Sequence, residues 1–117
     1  MVLKKKNGEV VLADLREAIG WWALQRGLLG RSGLVDGEGL LLSGCSCVHS
    51  MFMKFPIGLI YLDKNLCVVK IVRRFSPWRI SGCFAAKSVV ECQADIEDLG
   101  NIAVGEQLEI GGKYERC

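Results

Sequence analysis

Apolar residues recur at every second position in two series along the second half of the chain. A period of two places the side chains of a strand on one face, so each series predicts a strand with one buried face. We expect the members of both series to share one core, with Glu91 less buried or paired. These members are Cys67, Val69, Ile71, Val90 and Cys92.

Short β-rich runs separated by polar or glycine-rich breaks predict five or six strands in all. Lys64 and Asn65 lie between two of these runs and predict a hairpin turn there. The expected strands cover residues 9–13, 40–42, 57–63, 67–74, 87–93 and 107–110.

One segment near the start of the chain has helical spacing instead. Asp14 followed by Glu17 resembles a capping box, which opens a helix by satisfying its free N–H groups. The helix should end near Gly27 and Gly30, and residues 95–99 predict a further helical turn. The apolar stripe of the N-terminal helix would contain Leu15, Ile19, Trp22 and Leu29. Trp22 should pack on the sheet, and Trp21 should be more exposed.

These elements together predict a mainly β fold: a small single-domain β-sandwich or open barrel with one N-terminal helix and a short helical turn. No repeat or linker divides the chain, so we expect residues 1–117 to form one domain. The composition is 50% hydrophobic and 24% charged, which supplies enough apolar surface for a core and excludes intrinsic disorder.

Charge and cysteine content bear on compartment and partners. No apolar run approaches the roughly 18 residues of a membrane span, and acidic residues interrupt any export signal. We therefore expect a cytoplasmic protein, a monomer or weak dimer, whose six cysteines are thiols. Residues 73–79 mix arginines with aromatic side chains, but a net charge of +2 is too small for a surface that binds polyanions, so we expect no nucleic-acid partner.

Soft metal ligands recur at alternate positions in one segment, which contains Cys45, Cys47, His49, Met51 and Met53. On a straight strand all five would share a face, and thiol, imidazole and thioether groups suit monovalent copper or zinc. Cysteine and methionine are also common core residues. We expect a bend near Ser50 that sends the methionines into the core, with no bound metal. Cys45, Cys47 and His49 are the ligands if a metal is held.

Several blocks of residues occur in this chain in the same order as in one known family: Arg26-Gly27-Leu28-Leu29, Gly39-Leu40-Leu41, Cys45, Val48-His49-Ser50, Met53, Phe55-Pro56-Ile57, Leu62-Asp63, Pro77-Trp78 and Val90-Glu91. Through these blocks the chain resembles the family known as domain of unknown function 192. The resemblance covers about residues 23–110 and implies a small β-rich fold of sandwich or barrel type, without an established substrate. This chain departs from the family pattern at two acidic positions. Gly58 replaces the aspartate that the family usually has, and Glu106 replaces the aspartate of a later Gly-Asp pair. Cys47 and Met51 are not part of the family pattern.

The sequence favours an accessory module that binds a small polar ligand or a protein segment and needs no cofactor. The residues expected to bind are His49, Ser50, Trp78 and Glu91. An enzyme is the alternative, with His49, the only histidine, or Glu91 as general base. A soft-metal protein is the third possibility. Exchange of His49 for asparagine separates the first two, because a binding module tolerates it and acid–base catalysis does not.

Overall fold

The strands of this protein are short, and most of them pair with strands distant in the sequence. The computed structural model describes residues 1–17, 37–49, 54–95, 99 and 101–111. Within these residues the strands are β1 (Val2–Lys5), β2 (Val10–Leu12), β3 (Asp14–Glu17), β4 (Glu38–Ser43), β5 (Cys47–His49), β6 (Ile57–Leu62), β7 (Val68–Phe75), β8 (Ile80–Gly82), β9 (Ser88–Gln93) and β10 (Leu108–Gly111).

A five-stranded sheet in the order β3-β4-β9-β6-β7 forms the centre of the molecule. Adjacent strands in this sheet are antiparallel, except β3 and β4, which are parallel. Two of its three inner strands, β6 and β9, are buried along almost their whole length. Both faces of this sheet are therefore covered, which explains why β6 is a continuous apolar run and not an alternating one.

One face of the central sheet packs against a three-stranded antiparallel sheet in the order β10-β1-β2. Backbone hydrogen bonds also connect the two layers at their margins, among them Leu15 N to Met1 O (2.9 Å) and Leu108 N to Leu66 O (2.9 Å). We call the residues between these sheets the first core. Its buried members are Leu3, Val11, Leu12, Leu15, Leu41, Ile60, Leu62, Val68, Val90, Cys92, Leu99, Ile102 and Leu108.

The other face of the central sheet carries a two-stranded ribbon of β5 and β8. The ribbon pairs Cys47 with Gly82, Val48 with Ser81 and His49 with Ile80. We call the apolar residues beneath it the second core. Its buried members are Leu42, Val48, Phe55, Ile57, Leu59, Tyr61, Phe75, Ala86 and Val89.

The mainly β prediction is confirmed, as stacked sheets that do not close into a barrel in the described residues. The predicted hairpin is confirmed by the antiparallel pairing of β6 and β7. At its turn the Asp63 carboxylate accepts hydrogen bonds from Asn65 N (2.8 Å) and Cys67 N (3.0 Å). This local bonding stabilises the turn and thereby the register of the hairpin. No helix of the described residues is long and apolar enough to cross a membrane.

The predicted start of the N-terminal helix is wrong. Asp14–Glu17 is strand β3, paired in parallel with β4 from Asp14 opposite Glu38 to Glu17 opposite Leu41. The ladder to a distant strand satisfies the backbone groups that the capping box was expected to serve. The remaining predicted helical positions, Ile19, Trp21, Trp22, Gly27, Leu29 and Gly30, lie outside the described residues, as do residues 96–98 of the predicted helical turn.

The expectation of one shared core for the two alternating series is also wrong in part. Val90 and Cys92 are buried in the first core as expected, and Ile71 packs against it. Val69 packs against the second core, because the β6–β7 ladder shifts register near its start and changes the face of the residues beyond. Cys67 is only half-buried, at an isolated bridge to Gln107.

Candidate functional site

Glu91 is a charged residue type in the middle of the central sheet. Its strand β9 runs between β4 and β6, where Glu91 lies opposite Leu40 on one side and Leu59 on the other. The residue is 2% exposed, and alternation along β9 places it on the face of Val89, toward the second core. The expectation that Glu91 is less buried or paired is therefore wrong, because the inner position of β9 outweighs the polar character of the side chain.

This burial changes the chemistry of the carboxyl group. Loss of hydration raises the pKa of Glu91 from 4.5 to about 7. Glu91 Oε1 has no hydrogen-bond partner in the part of the chain that the structure describes, and the same holds for Gln93 Oε1. Native proteins seldom leave buried polar atoms without partners. Two acceptor oxygens thus lie on one face of β9, two residues apart, with unused hydrogen-bonding capacity.

Tyr61 brings a hydroxyl group to the same face from the neighbouring strand β6. Its ring is buried in the second core, and its hydroxyl donates a hydrogen bond to Ser81 Oγ (2.8 Å) on β8. Burial raises the pKa of the Tyr61 hydroxyl, and the hydrogen bond with Ser81 opposes that rise. Lys70 lies over the ring at 5.6 Å and donates to Gly82 O (3.0 Å). Tyr61 and Lys70 together attach the ribbon to the sheet.

Three thiols lie in this region of the molecule. Cys45 and Cys83 are half-buried against the second core, whereas Cys47 is exposed. Burial raises the pKa of Cys45, and the charges of Cys47 and Glu91 raise it further. Cys47, Cys83 and Glu91 likewise raise the pKa of Tyr61. Charge on these groups therefore acts across one small region, the polar cluster, which comprises Cys45, Cys47, Tyr61, Cys83 and Glu91.

A cavity of about 400 Å³ opens beside the polar cluster. It is lined by Ser46, Cys47, Gly82, Cys83 and Phe84, and the Phe84 side chain is fully exposed. Cavities of this volume accommodate small organic molecules. Tyr61, Cys83 and Gln93 were not singled out in the sequence. Tyr61 is one polar group within the apolar run of β6, and this is the signal that could have identified it.

Two of the other predicted binding residues, His49 and Trp78, lie on or next to the ribbon. The backbone of His49 pairs with Ile80, while its side chain and Ser50 are outside the described residues. Trp78 precedes β8 in a turn, with φ of +65° and 56% exposure. The His49 backbone and Trp78 thus belong to one end of the ribbon, and Glu91 lies on the sheet that the ribbon covers.

The predicted soft-metal stripe is described only in part. Cys45 and Cys47 are close enough for the charge of one to raise the pKa of the other, but Met51 and Met53 lie outside the described residues. Among the residues whose side chains are described, no group of three or more potential ligands has the arrangement of a metal site. The bend near Ser50 and the His49 ligand remain predictions.

At Gly58 the family that this chain resembles usually has aspartate. A side chain at this position would lie on the opposite face of the sheet from Glu91. A Cβ atom at Gly58 would come within 2.8 Å of Leu99 Cδ1 and 3.1 Å of Cys92 Sγ, both in the first core. A carboxylate at this position would therefore point away from the polar cluster. Its absence leaves the face of Glu91 unchanged.

Comparison with solved structures supports this fold. A Sinorhizobium meliloti 1021 protein provisionally described as a transcription regulator superposes with a TM-score of 0.74 and 19% identity, over 92% of this chain and 89% of that one. A Novosphingobium aromaticivorans DSM 12444 protein of unknown function gives the same score and identity, over 93% and 82%. At this identity the likeness concerns the fold alone.

Sequence comparison gives the family. No curated protein matches the chain. The model of DUF192, described as "Uncharacterized ACR", matches residues 2–110, from the first strand to the last. The chain therefore belongs to the DUF192 family.

Proposed function

We propose that this protein is an accessory module that binds a small polar ligand, or a polar side chain of a protein segment, on the face of the central sheet that carries Glu91. His49, Ser50 and Trp78 contribute from the ribbon and the segments beside it. The observation that carries the proposal is the buried Glu91 carboxyl group, whose Oε1 has no hydrogen-bond partner among the described residues.

Hydrogen-bonding capacity defines the class of ligand. Burying an unpaired polar group costs about 1–3 kcal/mol, so a ligand that supplies a donor recovers part of this free energy on binding. Glu91 Oε1 and Gln93 Oε1 both accept, which favours a ligand with two donor groups. An amide, ammonium or guanidinium group meets this requirement. The last two also favour the ionised carboxylate of Glu91.

Thermal unfolding in the presence of small donors tests the proposal. The probes are acetamide, ethylammonium and methylguanidinium, each with a range of concentrations. A probe that binds the native state raises Tm by mass action. We expect at least one probe to stabilise the wild-type protein and to lose this effect in Glu91→Gln. Glu9→Gln, a change at an exposed carboxylate, is the matched control and should retain it.

The proposal fails if no probe raises Tm, or if Glu91→Gln responds as the wild type does. The variants His49→Asn and Trp78→Ala measure how much the ribbon and its neighbouring turn contribute to binding of the probe. We expect Trp78→Ala to weaken binding without abolishing it, because Trp78 is about half exposed.

An enzyme that uses Glu91 as general base is the second candidate. A carboxyl group with a pKa near 7 exchanges protons efficiently at neutral pH, and the burial of Glu91 supplies this property. NMR spectra of a bound probe after prolonged incubation distinguish the two functions. A binding module returns the compound unchanged, whereas a general-base enzyme converts it, and the conversion disappears in Glu91→Gln.

A further inference from the structure

We propose that the outer face of the ribbon is a docking surface for an acidic segment of another protein, with one apolar side chain of that segment held in the cavity. The outer face comprises Cys47, Ile80, Gly82 and Phe84. It points away from the central sheet and includes none of the residues assigned to the function proposed above.

The register of the ribbon determines which of its side chains point outward. Val48 and Ser81 lie opposite each other and both point toward the central sheet, because Val48 is buried in the second core and Ser81 accepts a hydrogen bond from β6. Side chains alternate along a strand, so Cys47, Ile80 and Gly82 lie on the other face. The exposure of Cys47 and Ile80 agrees with this placement.

Apolar side chains on the outer face are open to water. Ile80 is 74% exposed, and Phe84, two residues past the end of β8, is fully exposed. Contact with a partner would remove this apolar area from water, which is favourable. Exposed apolar patches with a polar rim are typical of surfaces that bind proteins.

The cavity gives the outer face a place for one anchoring side chain. Its volume is about 400 Å³, and Cys47, Gly82 and Phe84 are among the residues that line it. A Cβ atom at Gly82 would lie 3.2 Å from Cys47 Cβ, so the glycine keeps the cavity open. Thiols, a glycine and an aromatic ring form most of the lining. Such a lining suits an aliphatic or aromatic side chain.

Positive charge predominates in the part of the chain that forms the ribbon. Residues 39–90 include both ribbon strands and carry seven basic residues and one acidic residue, a net charge of +6. The one acidic residue, Asp63, lies at the turn of the β6–β7 hairpin, where it accepts backbone hydrogen bonds. The field at the ribbon therefore attracts a negatively charged partner.

Three of these basic residues lie close to the outer face in the structure or in the chain. Lys70 Nζ donates to Gly82 O at 3.0 Å. Arg79 directly precedes β8, and Lys87 follows Phe84 by three residues; both are exposed. Acidic side chains on either side of an apolar anchor would meet these cations, so the partner should combine the two kinds of residue.

The acidic residues of this chain are already compensated, which disfavours a second copy as the partner. Residues 91–111 carry six acidic residues and no basic one. Three of the acids form ion pairs within their own chain: Asp95 with Arg74 (2.7 Å), Glu106 with Lys5 (3.7 Å) and Glu109 with Lys6 (3.4 Å). A partner of different sequence offers carboxylates that are not engaged in this way.

Single-stranded nucleic acid is the other negatively charged class of partner. Such strands bind by stacking successive bases on several aromatic side chains. The described outer face offers one aromatic ring, Phe84, beside the aliphatic side chain of Ile80 and the thiol of Cys47. These groups match the methyl and methylene groups of a peptide better than a series of bases.

Fluorescence anisotropy with labelled peptides and the full chain tests the proposal. The probe is a peptide with leucine at its centre and three acidic residues on each side. Two matched peptides have alanine at the centre, or lysine in place of the acidic residues. We expect the acidic leucine peptide to bind on the order of tenfold more tightly than the alanine peptide, because only leucine fills the cavity. The lysine peptide should not bind, and added salt should weaken binding of the acidic peptide.

Variants assign the binding to the outer face. Phe84→Ala should weaken binding of the acidic leucine peptide on the order of tenfold, and Lys87→Gln about threefold. Ile80→Ser provides a second apolar change, and circular dichroism confirms that each variant is folded. The matched controls are Val104→Ala, at an exposed apolar residue before β10, and Lys64→Gln, at the exposed turn of the β6–β7 hairpin. Both controls should bind as the wild type does.

Four outcomes would overturn the proposal. The first two are equal affinity for the leucine and alanine peptides and unchanged affinity in Phe84→Ala. Tighter binding of a single-stranded oligothymidine with the same number of charges would assign the surface to nucleic acid. A dimer in analytical ultracentrifugation that disappears in Phe84→Ala would assign it to a second copy of this chain.

Discussion

Glu91 places an ionisable carboxyl group where its ionisation opposes folding. In the unfolded chain the group titrates near 4.5, and burial raises the pKa in the native state to about 7. Between these values the native state binds more protons than the unfolded chain does. The contribution of Glu91 to stability is therefore most favourable below pH 4.5, declines as the pH rises to about 7, and then levels off.

Replacement of Glu91 by glutamine should remove this pH dependence. A pKa difference between 4.5 and about 7 corresponds to about 3 kcal/mol. Urea unfolding at pH 5 and pH 8 measures it. We expect wild-type protein to lose a few kcal/mol of stability relative to Glu91→Gln over this range. Glu9→Gln, at an exposed position, should follow the wild type. Parallel pH profiles for wild type and Glu91→Gln would contradict the assignment.

Gly58 is a second residue whose substitution should change the stability of the fold, because the first core leaves little space for a Cβ atom there. Alanine adds the Cβ that would approach Leu99 Cδ1 to 2.8 Å and Cys92 Sγ to 3.1 Å, and overpacking of this kind costs about 1–3 kcal/mol. Aspartate adds a carboxyl group in the first core. We expect Gly58→Asp to be less stable than Gly58→Ala by a further 1 kcal/mol or more, in urea unfolding, because the carboxyl must be desolvated. Equal stability of all three proteins would show that this region repacks freely.

At the scale of elements, side-chain contacts join the ribbon of β5 and β8 to the central sheet, since the described residues of the two share no β-ladder. The Tyr61–Ser81 hydrogen bond and the contacts of Lys70 connect it, together with Val48 in the second core. Three-residue strands have too few ladder bonds to be stable alone. The ribbon should therefore be the part of the described structure that opens most readily.

Tyr61→Phe should loosen the ribbon more than it destabilises the whole protein. The lost hydrogen bond contributes about 1 kcal/mol, and Ser81→Ala should not add a second full loss because both changes remove one interaction. Hydrogen exchange at the Val48 and Ser81 amides measures the local effect, with Val89 on β9 as the internal reference. Additive losses in the double variant would show that the two hydroxyl groups act independently.

The elements differ in how far the sequence predicts them, and the reason is the distance between partners. The β6–β7 hairpin has adjacent strands and a turn with its own hydrogen bonds, so local pattern suffices. β3 pairs with β4 across more than twenty residues, and nothing local distinguishes Asp14–Glu17 from a helix start. Alternation predicts that Glu91 is less buried or paired because a period of two reports only faces, whereas the burial of Glu91 depends on which strands flank β9. Cys47 and Cys83 line one cavity only because of the pairing of β5 with β8.

For the whole molecule, the central sheet is shared by two cores. Leu59 and Leu62 lie on the same strand, but Leu59 contacts the second core and Leu62 the first. Any change that disrupts β6 therefore weakens both layers at once. This arrangement couples the layers and favours a single cooperative transition.

Alanine substitution at either leucine tests this coupling. Both side chains are fully buried, so Leu59→Ala and Leu62→Ala should each cost about 2–5 kcal/mol. Urea unfolding followed by far-ultraviolet circular dichroism should give one transition for both variants, with an unchanged slope and a lower midpoint. A second transition in either variant would mean that the two cores unfold independently.

The pairing of β1 with β10 has a consequence for synthesis. Val2 lies opposite Gly111 and Lys5 opposite Leu108, so β1 leaves the ribosome long before its partner β10 does. Until then Leu3, which is fully buried in the finished protein, can pair on only one side, with β2. The layer that closes the first core is thus completed after translation of nearly all the strands. During that interval the nascent chain presents an unfinished sheet edge, which is the state in which chaperones would have most to bind.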